Sequence, residues 1–125
     1  MQLSFHGGAR EVTGSCYRLT TQQTSILIDC GLFQGSSEME DMNFQPFAFD
    51  PAKIDALFVT HAHIDHIGRI PLLVRNGFRG AIYSTPPTKD LALPLLEDAL
   101  SLAGRDRDNA EKGALYERRD VEDAM

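Results

Sequence analysis

The chain has 125 residues, 42% hydrophobic and 24% charged, proportions ordinary for one soluble globular domain and unlike those of disordered or membrane-spanning polypeptides. Twelve basic against eighteen acidic side chains give a formal charge of −6, which argues against nonspecific binding of nucleic acid through a broadly basic surface. Two cysteines are too few for a disulfide scaffold, and Met1-Gln2-Leu3-Ser4-Phe5 lacks the start of a signal peptide, so a cytoplasmic protein with reduced thiols is expected.

Gln2 to Phe5 reads as a first strand, and His6 to Arg10 as a glycine-rich turn. His6, at a strand end, is expected to be hydrogen-bonded rather than to serve as a ligand. Ser15 to Thr20 and Ser25 to Asp29 form a hairpin whose second strand carries Ile26-Leu27-Ile28. With Gln22-Gln23 at the turn, Asp29 falls opposite Cys16 and Cys30 opposite Ser15, so the sulfurs are not expected to pair. Gly31 to Pro51 is a long connection with few periodic positions, pinned to the core by Phe44, Phe47 and Phe49.

Ile54 to Thr60 ends in a continuous apolar run, as a strand buried on both faces should. It leads into His61-Ala62-His63-Ile64-Asp65-His66, which places three of the four histidines and a carboxylate within six residues. Neutral imidazoles and a carboxylate suit a divalent ion such as zinc, iron or manganese. In an extended chain His61 and His63 project to the same side and can grip one ion. Asp65 and His66 fall where the chain turns, a direction that suits a second ion about 3.5–4 Å away. Ile67 to Asn76 then reads as a helix with Pro71 near its start and Gly77 as its stop, leaving the ligands on a strand-to-helix loop.

Ala81 to Thr85 is a further strand, and a helix follows from Thr88 to about Ala103. Its faces of Leu91, Leu95, Ala99 and Leu102, and of Leu96, Leu100 and Ala103 beside them, are expected to pack in the core. Pro94 should bend this helix or delay its start. Gly104 to Gly113 is charged and expected to be a mobile loop, with a last short helix from Glu117 to Met125.

His61-x-His63-x-Asp65-His66 after an apolar strand resembles the metallo-β-lactamase fold. Glu11 to Cys16, Leu27 to Gly35, Phe47 to Pro51, His66 to Pro71 and Tyr83 to Thr88 are similar to its nucleic-acid-processing branch, β-CASP, nearly end to end. The resemblance implies an α/β fold, the N-terminal part of an αββα sandwich with a mixed sheet and flanking helices. It also implies a pair of zinc ions in the complete protein, one held by His61 and His63 and the other by Asp65 and His66. Asp65 would orient the attacking water, and Asp29, matching the family's first motif, would support the ligands from behind through hydrogen bonds. Zinc lowers the pKa of the water it holds from about 15.7 to about 7, which supplies hydroxide at neutral pH. The activity so implied is a metal-dependent phosphodiester hydrolase acting on RNA, as an exo- or endoribonuclease. Arg10, Arg69, Arg75 and Arg79 are candidates for a phosphate groove, although such side chains are ordinarily solvated.

The family completes its site with a further histidine, a bridging aspartate and a late histidine. No histidine follows His66, and Asp90, Asp98, Asp106, Asp108, Asp120 and Asp123 lie in the expected helices or the charged loop. Residues 1–125 are therefore expected to form the N-terminal portion of a larger metallo-β-lactamase-like domain, lacking its second half and cap, inactive alone and with partial zinc or none. A sheet missing its cover should self-associate through Ile26, Ile28, Leu57 and Val59, as a two-fold dimer. The competing arrangement has helices 67–76 and 88–103 covering both faces of a monomer. Two other functions stay open: another hydrolase of the same superfold, acting on thioesters or lactones, and a non-catalytic binding or assembly module. No membrane partner is expected.

Overall fold

The computed structural model describes residues 1–103 and 112–125. Its frame is one mixed sheet of β1 (Gln2–Phe5), β2 (Tyr17–Thr20), β3 (Ser25–Ile28), β4 (Ala56–Phe58) and β5 (Ala81–Tyr83), in that spatial order. β1, β2 and β3 run antiparallel, and β3, β4 and β5 parallel. The β2–β3 turn closes on Thr21, whose hydroxyl accepts the backbone N–H groups of Gln23 and Thr24 at 3.2 and 3.0 Å. The parallel pairs need long crossovers, and these carry the remaining elements. The first crossover holds α1 (Ser37–Asp41) and two 3-10 turns, where an unstructured connection was expected; the second holds α2 (Ile64–Ile67) and α3 (Ile70–Arg75).

Side chains alternate across these strands, and the two faces have different fates. Leu27 and Leu57, in register on β3 and β4, are fully buried and share a core with Ile67, Ile70, Leu73, Phe78, Leu96 and Val121. Each such burial contributes roughly 1.5–3 kcal/mol. The opposite face carries Phe5 paired with Tyr17, Ile28 paired with Phe58, and Phe58 paired with Tyr83; Phe5, Phe58 and Tyr83 are 59%, 43% and 53% exposed. This corrects the expected stripe. Ile26 and Ile28 belong to the open face, Leu57 to the covered one, and Val59 lies buried beyond the end of β4. The helices do not enclose both faces.

The expected helix from Ile67 to Asn76 begins earlier and in two pieces, because α2 already turns at Ile64 and α3 restarts at Ile70 with Pro71 in its first turn. Gly77 stops α3 at φ 107°, as expected. α4 (Pro86–Ala103) runs through Pro94, which does not delay its start, and packs against α2 and against α5 (Arg118–Ala124). The core-facing side of α4 is Thr88, Ala92, Leu96 and Leu100, whereas Leu91, Leu95 and Leu102 are exposed. α5 starts from a capping box between Glu117 and Asp120. Of the charged stretch expected to be a loop, 104–111 lies outside the described residues. Among the described residues no helix is long and apolar enough to cross a membrane.

Candidate metal centre

β3 and β4 run parallel, and their carboxyl ends deliver Asp29 and Thr60-His61 to the same edge of the sheet, the usual place for a site in an open α/β sheet. Asp29 is 1% exposed and sits in the left-handed region at φ 59°. That conformation ends the alternation of β3 and swings the carboxylate toward the neighbouring chain. It accepts the Thr60 N–H at 2.8 Å, the Thr60 hydroxyl at 2.8 Å and the Ser15 hydroxyl at 3.3 Å, and it stands 2.8 Å from Nδ1 of His66.

These contacts set how the imidazoles are turned. Since the Thr60 hydroxyl donates to Asp29, it can only accept from Nδ1 of His61, 3.0 Å away. His66 likewise directs Nδ1–H at the carboxylate. Both rings therefore turn Nδ1 toward the carboxylate and its threonine and Nε2 away from them, the orientation in which Nε2 could bind a metal. The two rings lie 4.0 Å apart. His61 Nε2 faces His63 Nδ1 at 3.0 Å, and His66 Nε2 faces Asp65 Oδ2 at 3.5 Å.

Asp65 and His66 belong to the first turns of α2, not to a loop as expected, because His63 is extended at φ −64° and ψ 146° and the helix begins directly after it. α2 is held against the sheet edge by backbone contacts: Ser15 N–H to Asp65 O at 2.9 Å, Cys30 N–H to His66 O at 2.8 Å and Leu32 N–H to Ile64 O at 3.1 Å. Only glycine fits at residue 31, since a Cβ there would overlap the carbonyl of Asp65.

The donors suit a divalent ion. Around a tetrahedral zinc, ligand atoms about 2.0–2.1 Å from the metal lie about 3.4 Å from each other, close to the spacing within both pairs. The pairs remain separate, however: among the described residues no three His, Cys, Asp or Glu side chains surround one point. His61 and His63 could grip one ion and Asp65 with His66 another, each needing further donors. Beside His63 opens a cavity of about 790 Å³, walled in part by Leu32, Ile64, Leu95 and Tyr116.

Thr60 and Ser15 do not stand out in the sequence. Neither is a ligand type, and the available signal was positional, Thr60 being the residue before His61 on the strand next to Asp29. His6 corrects an expectation: its Nε2 is buried with no partner among the described residues, and the ring packs on Phe49 at 4.8 Å, away from the histidine cluster. Arg69 is buried; Arg75, which pairs with Asp120 at 3.5 Å, and Arg79, which donates to the carbonyls of Val74 and Phe78, both line an open cavity of about 1000 Å³ beside α5. Arg10 is exposed. Cys16 and Cys30, expected apart, touch: the hydrogen bond from Cys30 to Cys16, together with full burial, pushes the Cys30 thiol well up. The left-handed turn at Asp29 breaks the alternation on which that expectation rested.

The profile of the Metallo-beta-lactamase superfamily matches residues 9–122. Ribonuclease TTHA0252 of Thermus thermophilus is 48% identical over 102 residues, covering 82% of this chain and 23% of that protein. Transcription termination factor FttA of Methanosarcina mazei is 46% identical over 101 residues, covering 80% and 16%, and its counterpart from Methanococcus maripaludis is 36% identical over 126 residues, covering 100% and 19%. The chain thus spans about a fifth of the length of these relatives. The structure of human tRNase Z, short form, superposes with a TM-score of 0.51 at 21% identity, over 79% of this chain and 40% of that one, a likeness of fold.

Proposed function

This chain belongs to the metallo-beta-lactamase superfamily, and from that premise we propose that the protein is a metal-dependent phosphodiester hydrolase of the β-CASP branch that cleaves RNA in the cytoplasm. The observation that carries the reading is the order that Asp29 and Thr60 impose on the histidines, which turns Nε2 of His61 toward His63 and Nε2 of His66 toward Asp65. RNA as substrate is supported by the relative named a ribonuclease, at 48% identity; the relatives named transcription termination factors favour a nascent transcript as that RNA.

In this proposal His61 and His63 hold one zinc, and Asp65 and His66 a second. Bound there, the ions supply Lewis acidity at the phosphoryl oxygen and hydroxide at neutral pH. Asp29 fixes the orientation of His66 and, through the Thr60 hydroxyl, of His61. Asp65 orients the attacking water by accepting its hydrogen bond. The formal charge of −6 is no obstacle, because two divalent ions make the substrate side locally positive.

The test is to offer the complete protein, loaded with zinc, RNA, a thioester and a lactone in parallel. RNA cleavage that stops on chelation and returns with zinc is expected. Thioester or lactone turnover without RNA cleavage would move the protein to another branch of the superfamily, and RNA binding without cleavage would make it a binding module.

A further inference from the structure

Most arginines of this acidic chain are engaged within it. Arg18 donates to the Ser25 hydroxyl at 2.8 Å and Arg69 to the carbonyl of Gly31. Arg75, Arg118 and Arg119 pair with Asp120, Glu97 and Asp123, and Arg79 holds the carbonyls of Val74 and Phe78. Arg10 differs: it is exposed, and no carboxylate, carbonyl or aromatic ring among the described residues engages it. Its backbone lies in the left-handed region at φ 60°, which among the described non-glycine residues only Asp29 shares. That conformation costs stability and persists where the direction of the side chain matters.

The loop that carries Arg10 is tied to the metal centre. The register of β1, β2 and β3 brings the end of β1, the start of β2 and the end of β3 to one edge of the sheet, so residues 7–14 rise from the edge that carries the histidines. The ends of this loop meet, since a Cβ on Gly7 would overlap the carbonyl of Gly14. The Tyr17 hydroxyl donates to the Gly8 carbonyl at 3.1 Å, and the Thr13 hydroxyl donates to the carbonyl of Gln34 at 3.0 Å and accepts its N–H at 2.9 Å. Directly after the loop, Ser15 gives its N–H to the Asp65 carbonyl at 2.9 Å and its hydroxyl to Asp29 at 3.3 Å. This anchored stem leaves Arg10, Glu11 and Val12 exposed at its apex.

Building on the RNA-hydrolase reading of the metal centre, we propose that Arg10 binds a phosphate of single-stranded RNA next to the one being cleaved, on the β2 side of the ions. A strand laid over the centre must leave it past one flank, and on this flank the β1–β2 loop is the element tied to Asp65 and Asp29. The other flank offers a polyanion little. There α4 starts with Pro86 and Pro87, which have no N–H to donate, and the hydroxyls of Thr85 and Thr88 bond each other at 2.9 Å. A guanidinium suits the task because its planar fork meets two phosphate oxygens at once. The ions attract the strand and Arg10 sets its register.

The test uses the complete protein, loaded with zinc, and a single-stranded RNA oligonucleotide whose cleavage is followed across a salt series. Arg10→Gly accepts the left-handed backbone, so it removes the guanidinium and leaves the loop in place. It should keep the wild-type Tm and zinc content, raise KM about tenfold, and flatten the dependence of log KM on log salt by about 0.7, the share of one phosphate contact on a single strand. Arg10→Lys should restore the slope and part of KM. A glycine variant with the wild-type KM and slope overturns the proposal. So does one whose Tm falls while its slope stays that of the wild type, the mark of an Arg10 paired with an acid elsewhere in the complete protein. Wild-type protein that cleaves no RNA would sink the hydrolase reading itself, and this proposal with it.

Discussion

Asp29 holds a left-handed backbone that costs a non-glycine residue roughly 1 kcal/mol or more, and in return its carboxylate meets Ser15, Thr60 and His66 at once. Asp29→Asn keeps the size and removes the charge, so zinc affinity is expected to fall about 10- to 100-fold with the fold intact; competition with a chromophoric chelator, alongside circular dichroism, measures both. Unchanged affinity would strip Asp29 of this role. A second residue contributes to the loss of stability at alkaline pH. Burial pushes the Tyr116 hydroxyl up to about 12 from 10.0, so the folded state holds a proton that the unfolded chain releases, and stability is lost as pH rises from about 10 toward 12. Between pH 9 and pH 11 this amounts to about 1.4 kcal/mol, and Tyr116→Phe should remove that part of the slope in urea titrations. At this scale the sequence displayed ligand types well and their supports poorly. His61, His63, Asp65 and His66 stand out by density, whereas Thr60 and Ser15 act through hydroxyls that every surface loop also carries.

Among the elements, the strands were legible to within a few residues because a short apolar run bounded by turn residues is too brief for a helix and too apolar for a loop. α2 was not, since four residues give no helical period to detect. Its placement rests instead on the close approach of Gly31 to the Asp65 carbonyl. Gly31→Ala must push α2 off the sheet edge, which should cost about 1–3 kcal/mol and weaken zinc binding as well; thermal unfolding and chelator competition would register the two losses together, and a variant with the wild-type Tm would show that α2 is not held there. α4 illustrates a different limit. Leucines occupy several of its sides, so period alone could not tell the side that meets α2 and α5, led by Leu96, from the exposed Leu91 and Leu102.

At the scale of the whole molecule, the open sheet face sets the exposed rings of Phe5, Phe58 and Tyr83 side by side, and contiguous apolar surface of this kind favours association. That a face would lie open was readable from the number of strands; which residues form it was not, because Leu57 and Ile28 look alike in sequence and a one-residue shift exchanges the faces. A polypeptide of these 125 residues is expected to self-associate through this face. Sedimentation equilibrium over a dilution series should show mass above 13.9 kDa at high concentration, falling to the monomer in a Phe5→Lys, Phe58→Lys variant; a wild-type monomer at every concentration would contradict this. The central claim, that the histidine cluster at the sheet edge holds the metal that cleaves RNA, is tested most directly by measuring bound zinc and RNA cleavage together in the complete protein, as wild type and as His61→Ala and His63→Ala. The account predicts that each variant folds, loses zinc and loses cleavage, whereas a variant with full zinc content and wild-type turnover would contradict it.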